Sequence, residues 1–400
     1  MNKVVVTGIG AVSSIGCGVE KFWNNLISGQ CGIKELTRVN TEDLDVKVGA
    51  EADPEFETLS KNYYTKRQLN SSTVSSRMAL ASAGEAVDDS GIDFDACDRS
   101  KAAVIYGVTN ISWVDEKEKQ KNFILKDMPS TAPSLIAAKY GLNGPSFNVS
   151  CACSSSGYAI SLGAQMIEAG LLDVVIVGGM SSVISHQLVR GFSQILALSV
   201  NPDPATACRS FTKNRDGFVM GEGSATLILE SEEFAKKRNA KIYARLAGYG
   251  MYGEASDMTC PLEDGAGMKI VMEKALAKAG LGINDIDYIN AHGTSTNLND
   301  KYETMAIKNL FGDQAYKIPV SSIKPSIGHT LAGGSALEAV ACIKALETGV
   351  IPATIHYDEA DPDLDLDYVP NTARKHEVKR VLSNSFGFGG QNVSLIFEKV

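Results

Sequence analysis
The sequence predicts an α/β protein with largely parallel sheets covered by helices, laid out in two similar halves. Three observations support this. Apolar runs of strand length alternate with apolar stripes at helical spacing along the chain. That succession starts again at about residue 241, after a charged run from Glu230 to Arg238. At 400 residues, the chain is too long for one ordinary core.

Taken in order, Val4 to Val6 reads as a buried strand leaving into Thr7-Gly8-Ile9-Gly10. Val19 to Ile27 is helical, with Phe22, Trp23, Leu26 and Ile27 on one stripe. Gly8 and Gly10 resemble half of a dinucleotide fingerprint, but no helix starts close behind them, so tight-turn glycines are the better reading. Residues 33 to 70 are polar and hold the cations Lys61, Lys66 and Arg67. A helix is expected over Ser76 to Ser90, a strand over Ala102 to Tyr106, an exposed excursion over 110 to 128, and a short helix over Ser134 to Tyr140. Strands follow at Val174 to Val177 and Ala225 to Leu229, with a helix ending near Leu198 between them. The run from Glu230 to Arg238 reads as a solvated face at the boundary of the halves, 1–240 and 241–400. In the second half, strands are expected at 242–246, 286–290, 318–321, 380–384 and 393–397. Helices are expected at 266–279, 300–310 and 334–346.

Composition excludes several classes of function. A hydrophobic content of 44%, with 21% charged residues, describes a globular chain rather than a disordered one. A net charge of -9 with no basic stripe argues against nucleic acid as a partner. No apolar stretch approaches a membrane span and the start lacks a signal-peptide core, so a cytoplasmic protein is expected. Eight thinly spread cysteines suit reduced thiols better than a disulfide framework.

The stretch from Phe147 to Gly179 stands out. Phe147, Val149 and Cys151 alternate as in a strand, and a helical stripe begins after Cys153. A thiol at such a turn faces unpaired N–H groups and the positive end of a helix, which would lower its pKa. Ser154, Ser155 and Ser156 could cap the first turn, and Gly157 would allow close packing. Cys153 could equally be a small packing residue; Cys151, on the strand side, reads as structural. Two of only five histidines stand in glycine-rich turns after strands, His292 and His329. A cysteine with two imidazoles suits carbon–carbon bond formation from thioesters: the thiolate takes an acyl group and the imidazoles support a carbanion. Lys324 could orient that site with Glu338 as ion partner. Ser385 to Gly390 offers backbone N–H groups for an oxyanion hole and an aromatic to shut a pocket.

The Ala152-Cys153-Ser-Ser-Ser turn, Asn290-Ala-His292-Gly-Thr-Ser-Thr296, Lys324 with Gly328-His329, and Asn384-Ser-Phe-Gly-Phe-Gly-Gly-Gln-Asn392 together resemble the β-ketoacyl-acyl-carrier-protein synthases, ketosynthases of thiolase fold, most nearly the elongating synthase II type. The resemblance spans essentially the whole chain. It implies a thiolase-like fold of duplicated halves in an α-β-α-β-α arrangement, and a dimer. Cys153 becomes the acyl-carrying nucleophile, His292 and His329 the pair for malonyl decarboxylation, and Lys324 with Glu338 their support. The Cys153 and Phe388 amides become the oxyanion hole. Phe388 also gates the malonyl side, and Thr294 and Thr296 meet the pantetheine arm of an acyl carrier protein. Phe386, Asn110 and Ile111 are expected at the substrate, Lys66 and Arg67 at the carrier, and neither metal nor other cofactor is implied.

The chain departs from the family at Gly107 to Trp113, bulkier and more polar in the acyl-pocket region, and at Asn297, where proline is usual. The acid after Gly179 and a basic residue near Val200 are also missing. The alternative is therefore a ketosynthase of a specialised polyketide or polyene pathway, paired with a chain-length-factor-like subunit. A thiolase would need a second cysteine near the C-terminus, whereas Cys342 falls in a helix; a non-catalytic subunit would not keep Cys153 with both histidines.

Overall fold
In the computed structural model, which describes residues 2–109 and 121–400, the first strand runs past the expected turn. β1 spans Val4–Ser13 and is buried throughout. Gly8 and Gly10 are therefore strand residues, and their lack of a side chain serves packing rather than turning. A methyl group at Gly8 would sit 2.2 Å from the Ala86 carbonyl oxygen, and one at Gly10 2.0 Å from that of Ser82. Both carbonyls belong to helix Val74–Ser90, which lies directly on the strand.

The other principal strands are β2 (Ala102–Gly107), β3 (Ser146–Val149), β4 (Val174–Ser181), β5 (Gly223–Ser231), β6 (Ala244–Gly253), β7 (Tyr288–Asn290), β8 (Val320–Ser321), β9 (Arg380–Gly387) and β10 (Gln391–Glu398). They are joined in one sheet ordered β8-β7-β9-β10-β6-β1-β5-β4-β2-β3. Each half places its third strand at the outer edge and its first at the centre, in the order third, second, fourth, fifth, first. The repeat that residue identities hide is plain in the topology. Pairing is parallel only in the outer part of each half (β3-β2-β4 and β8-β7-β9); the remaining main ladders are antiparallel. The expectation of largely parallel sheets is thus corrected. Buried strands read as continuous apolar runs in either orientation, so such runs do not fix direction.

Helix α1 (Val74–Ser90) covers β1, β5 and β4, and helix α3 (Ala266–Ala279) covers β6 and β10. Between the halves lie α2 (Ser155–Glu168) and α5 (Gly334–Thr348), which touch each other and strands of both halves. The remaining helix used below, α4, spans Asn297–Phe311. This gives helix, the strands of one half, paired helices, the strands of the other half, and helix in succession. α5 is buried from Gly334 to Leu346, as an inner helix must be. Glu230 corrects the solvated reading of the charged run: it is fully buried in β5, where it accepts from Thr7 Oγ1 and pairs with Arg238. Among the described residues, no helix is long and apolar enough to cross a membrane.

Two glycine substitutions should act with opposite sign. Gly10→Ala drives a methyl group into the Ser82 carbonyl and should destabilise by about 1–3 kcal/mol. Gly191→Ala, in helix His186–Gln194 with nothing within 4 Å of the new atom, should stabilise by up to about 1 kcal/mol. Thermal unfolding of the two variants checks both.

Candidate active site
Cys153 occupies the turn between β3 and α2, where Ala152 takes a left-handed φ of 48° and bends strand into helix. The three serines that follow are not helix caps, since no side chain caps this helix. They bind the turn to its surroundings. Ser155 Oγ accepts from the Cys151 N–H at 2.9 Å and donates to the Ala152 carbonyl at 2.6 Å. Ser154 Oγ lies 2.9 Å from the Ser385 carbonyl on β9, and Ser156 Oγ accepts the Ala336 N–H of α5 at 3.0 Å. Gly157 supplies the expected close approach: a methyl group there would lie 2.4 Å from Val393.

Burial overturns the expectation of a lowered thiol pKa. It pushes Cys153 up to about 11, against the opposing pull of the Lys324 charge, the Phe388 N–H and the residue's own N–H. Only about one thiol in ten thousand would then be ionised at pH 7. A helix N-terminus is visible in a sequence, whereas burial of the thiol is not.

His292 follows β7 in a turn fixed from below by α4. Glu303 of that helix accepts the N–H groups of His292 at 2.9 Å and Gly293 at 2.8 Å. The Gly293 carbonyl accepts from Ser322 Oγ and Ser210 Oγ, and a methyl group at Gly293 would meet Ser322 Cβ at 2.6 Å. His329 is held by its backbone, donating to the Val219 carbonyl at 2.7 Å and accepting from the Gly221 N–H at 2.9 Å. Beneath both turns, the Lys324 ammonium donates to the His292 carbonyl and to Glu338 Oε1. Glu338 Oε2 accepts from Ser385 Oγ at 3.0 Å. Lys324 and Glu338 are buried and lie behind the cavity wall.

These elements bring one ligand atom each of Cys153, His292 and His329 within 4.8 Å of one another. Such a trio could hold a metal, but the Lys324 cation opposes a second positive charge. Burial, reinforced by Lys324, holds both imidazoles well below their usual pKa, and His329 adds to the effect at His292. The rings are neutral near pH 7, and the Nδ1 atom of each is buried with no hydrogen-bond partner among the described residues. They belong to an edge-to-face series, Phe192, Phe218, His329, His292 and Phe386, with neighbouring centroids 5.2–5.8 Å apart.

The trio opens into a cavity of about 560 Å³. Thr294, Thr296, Phe386 and Phe388 all line it, with the two threonine hydroxyls 2.9 Å apart. Asn110 and Ile111 lie outside the described residues. Lys66 and Arg67 sit exposed on the short helix Lys66–Leu69, away from the cavity lining. Sequence reasoning missed Phe218, which closes the turn Arg215-Asp-Gly-Phe. It also missed Glu303, legible only as an acid on the inner face of α4. Glu254, in the cavity wall, accepts from Asn392 Nδ2 at 2.7 Å and from the Leu262 N–H at 2.8 Å, and no motif announced it.

A buried cysteine at the head of one inner helix, facing two histidines from the other half across one cavity, is the arrangement of a condensing enzyme of thiolase-like fold. The chain belongs to the β-ketoacyl synthase family: residues 1–235 match its N-terminal domain and 243–358 its C-terminal domain. It is 36% identical to the 3-oxoacyl-[acyl-carrier-protein] synthase 2 of Coxiella burnetii, covering 100% of this chain and 99% of that protein. It is 39% identical to a putative polyketide beta-ketoacyl synthase 1 of Streptomyces cyaneus, over 97% and 96%. The solved ishigamide ketosynthase/chain length factor superposes with a TM-score of 0.92 at 33% identity, covering 100% and 99%.

Alkylation tests the electrostatics. The iodoacetamide reaction of Cys153, followed by peptide mass, should rise about tenfold per pH unit from 7 towards about 11. Lys324→Met removes the charge that favours the thiolate, so it should slow alkylation at any one pH in that window.

Proposed function
We propose that the protein extends an acyl chain by two carbons through decarboxylative Claisen condensation with malonyl-acyl-carrier protein. The observation behind this is the buried Cys153 thiol with two neutral imidazoles inside 4.8 Å. In the first half-reaction Cys153 attacks the thioester carbonyl of an incoming acyl group and its proton passes to the departing carrier thiol. A nearby imidazole is within reach to relay it. The Cys153 and Phe388 N–H groups, which point at the sulfur in the resting site, serve as the donors to the tetrahedral oxyanion.

In the second half-reaction malonyl thioester enters. The imidazole N–H groups donate to its carbonyl oxygen and stabilise the enolate left when carbon dioxide departs. Phe218 and Phe386, packed on the two rings, deny the carboxylate its hydration and so favour its loss. The freed carbanion attacks the acyl-cysteine, and collapse returns the electron pair to the Cys153 sulfur with release of β-ketoacyl carrier. No metal, nucleotide or resident cofactor takes part. Thr294 and Thr296 receive the carrier's pantetheine arm, and Lys324 and Glu338 position the histidines. The units are the halves 1–240 and 241–400, and the setting is a cytoplasmic dimer.

A second reading keeps the chemistry and changes the chain. The likeness to a Streptomyces polyketide synthase and to the ishigamide ketosynthase/chain length factor supports a specialised polyketide or polyene substrate and a heterodimer. Intact-protein mass separates the readings when a panel of acyl carrier thioesters is offered, followed by malonyl carrier protein. Cys153 should gain one acyl group and Cys153→Ala none. His292→Ala should still load but condense about 10²–10³-fold more slowly. The preferred acyl group assigns the pathway; if the purified chain loads no acyl group, the homodimeric reading fails.

A further inference from the structure
The two histidines are held in different ways. His292 has a carboxylate under its turn, since Glu303 accepts its backbone N–H. The His329 backbone bonds only to other backbone, and its Nδ1 has no partner among the described residues, so the aim of the ring rests on backbone and packing. Both come from one strip, residues 218–221, that runs into β5. Val219 and Gly221 bond to the His329 backbone on either side, and the Phe218 ring packs edge-on against the imidazole with centroids 5.2 Å apart. A methyl group at Gly221 would lie 2.5 Å from the Ile327 carbonyl oxygen, so the strip touches the turn that carries His329. What fixes the strip therefore fixes the ring.

Glu222 anchors the end of this strip. Its N–H donates to the Ala50 carbonyl, and the Ala50 N–H donates to Met220, both at 2.9 Å. The Glu222 carboxylate is fully buried and accepts from Ser182 Oγ at 2.8 Å, from the Ala52 N–H at 3.2 Å and from the Arg38 guanidinium. A carboxylate so buried is tolerated only when a cation and further donors fill its positions, and losing the cation alone leaves an unpaired interior charge. Arg38 is itself fastened in place. Glu51 lies 3.3 Å from its Nε and accepts its backbone N–H at 3.0 Å and the Thr37 hydroxyl at 2.6 Å. Neither Arg38 nor Glu222 lines the catalytic cavity. We propose that Glu222, held by Arg38, is a positioning residue for His329 in the condensation step: it fixes residues 218–221 so that the ring meets the malonyl thioester carbonyl. It does for His329, one step removed, what Glu303 does for His292. This rests on the condensing reading and deepens it.

The test measures the two half-reactions of the full-length protein separately. Loading of Cys153 from an acyl N-acetylcysteamine thioester is read by intact mass, and condensation of the loaded protein with malonyl-acyl-carrier protein is read as kcat and KM. Arg38→Met and Glu222→Gln should each lower the kcat of condensation about tenfold, with the loading rate and the KM for the malonyl carrier close to those of the parent. Arg38→Lys keeps a cation without the guanidinium fork and should recover part of the loss. Glu222→Gln leaves no unpaired charge in the interior, because Arg38 is 43% exposed, so it carries the test if Arg38→Met does not fold. Loading and condensation slowed in equal proportion would make the pair a support of the fold alone, and unchanged condensation would deny it any part in the reaction. Either result overturns the positioning role while the parent protein still condenses. A parent that neither loads nor condenses overturns the condensing reading, and the positioning role with it.

Discussion

One buried cation acts, beside burial itself, on every member of the trio. Lys324 lies under both histidine turns, bonded to the His292 carbonyl and to Glu338. Its charge acts on an acid and on two bases with opposite results. It draws the Cys153 thiol towards ionisation and drives both imidazoles away from it. Burial outweighs that pull at the thiol, so the resting state is a protonated Cys153 beside two neutral rings. Burying such a pair is costly unless hydrogen bonds fill its remaining positions. The Ser385 and Ser335 hydroxyls extend the network on the Glu338 side, each bonded to the next. A neutral replacement of Lys324 alone would leave Glu338 a buried carboxylate without its cation, so it costs the fold as well as the chemistry.

The site exists only where the halves meet. The first half contributes Cys153 at the head of one inner helix; the second contributes both histidines, and its own inner helix carries Glu338. Close approach of these layers depends on missing side chains. A methyl group at Gly157 would strike Val393, and one at Gly179 would lie 2.5 Å from the Ala332 carbonyl. The repeated strand order gives each half the same frame, while the residues mounted on the two frames have diverged to different tasks.

Much of this was legible in the sequence, for identifiable reasons. Cys153, His292 and His329 stand in turns after strands, and a change of periodicity marks a turn without knowledge of the fold. Glu338 was legible because a charged residue within an apolar helical stripe needs a partner. What failed depended on distant neighbours. The serines after Cys153 look like caps locally but bond to β9, α5 and the turn itself. Gly8 and Gly10 look like turn residues until helix α1 is laid on them. The thiol looked activated because its helix terminus is local, whereas the burial that outweighs it is not. Glu254 gave no signal and Glu303 only that of an acid on an inner helix face, because their partners are backbone and amide groups brought close only by folding.

The measurement that bears most directly on this account is the ¹⁵N chemical shift of His292 and His329 followed from pH 8 to pH 5.5, each assigned by its own substitution. Because both rings are held well below the ordinary value, they should stay neutral throughout, while a ring charged at pH 7 would contradict the account. In Lys324→Met both should titrate at higher pH than in the parent protein, since burial, the larger cause, then acts without the added Lys324 charge.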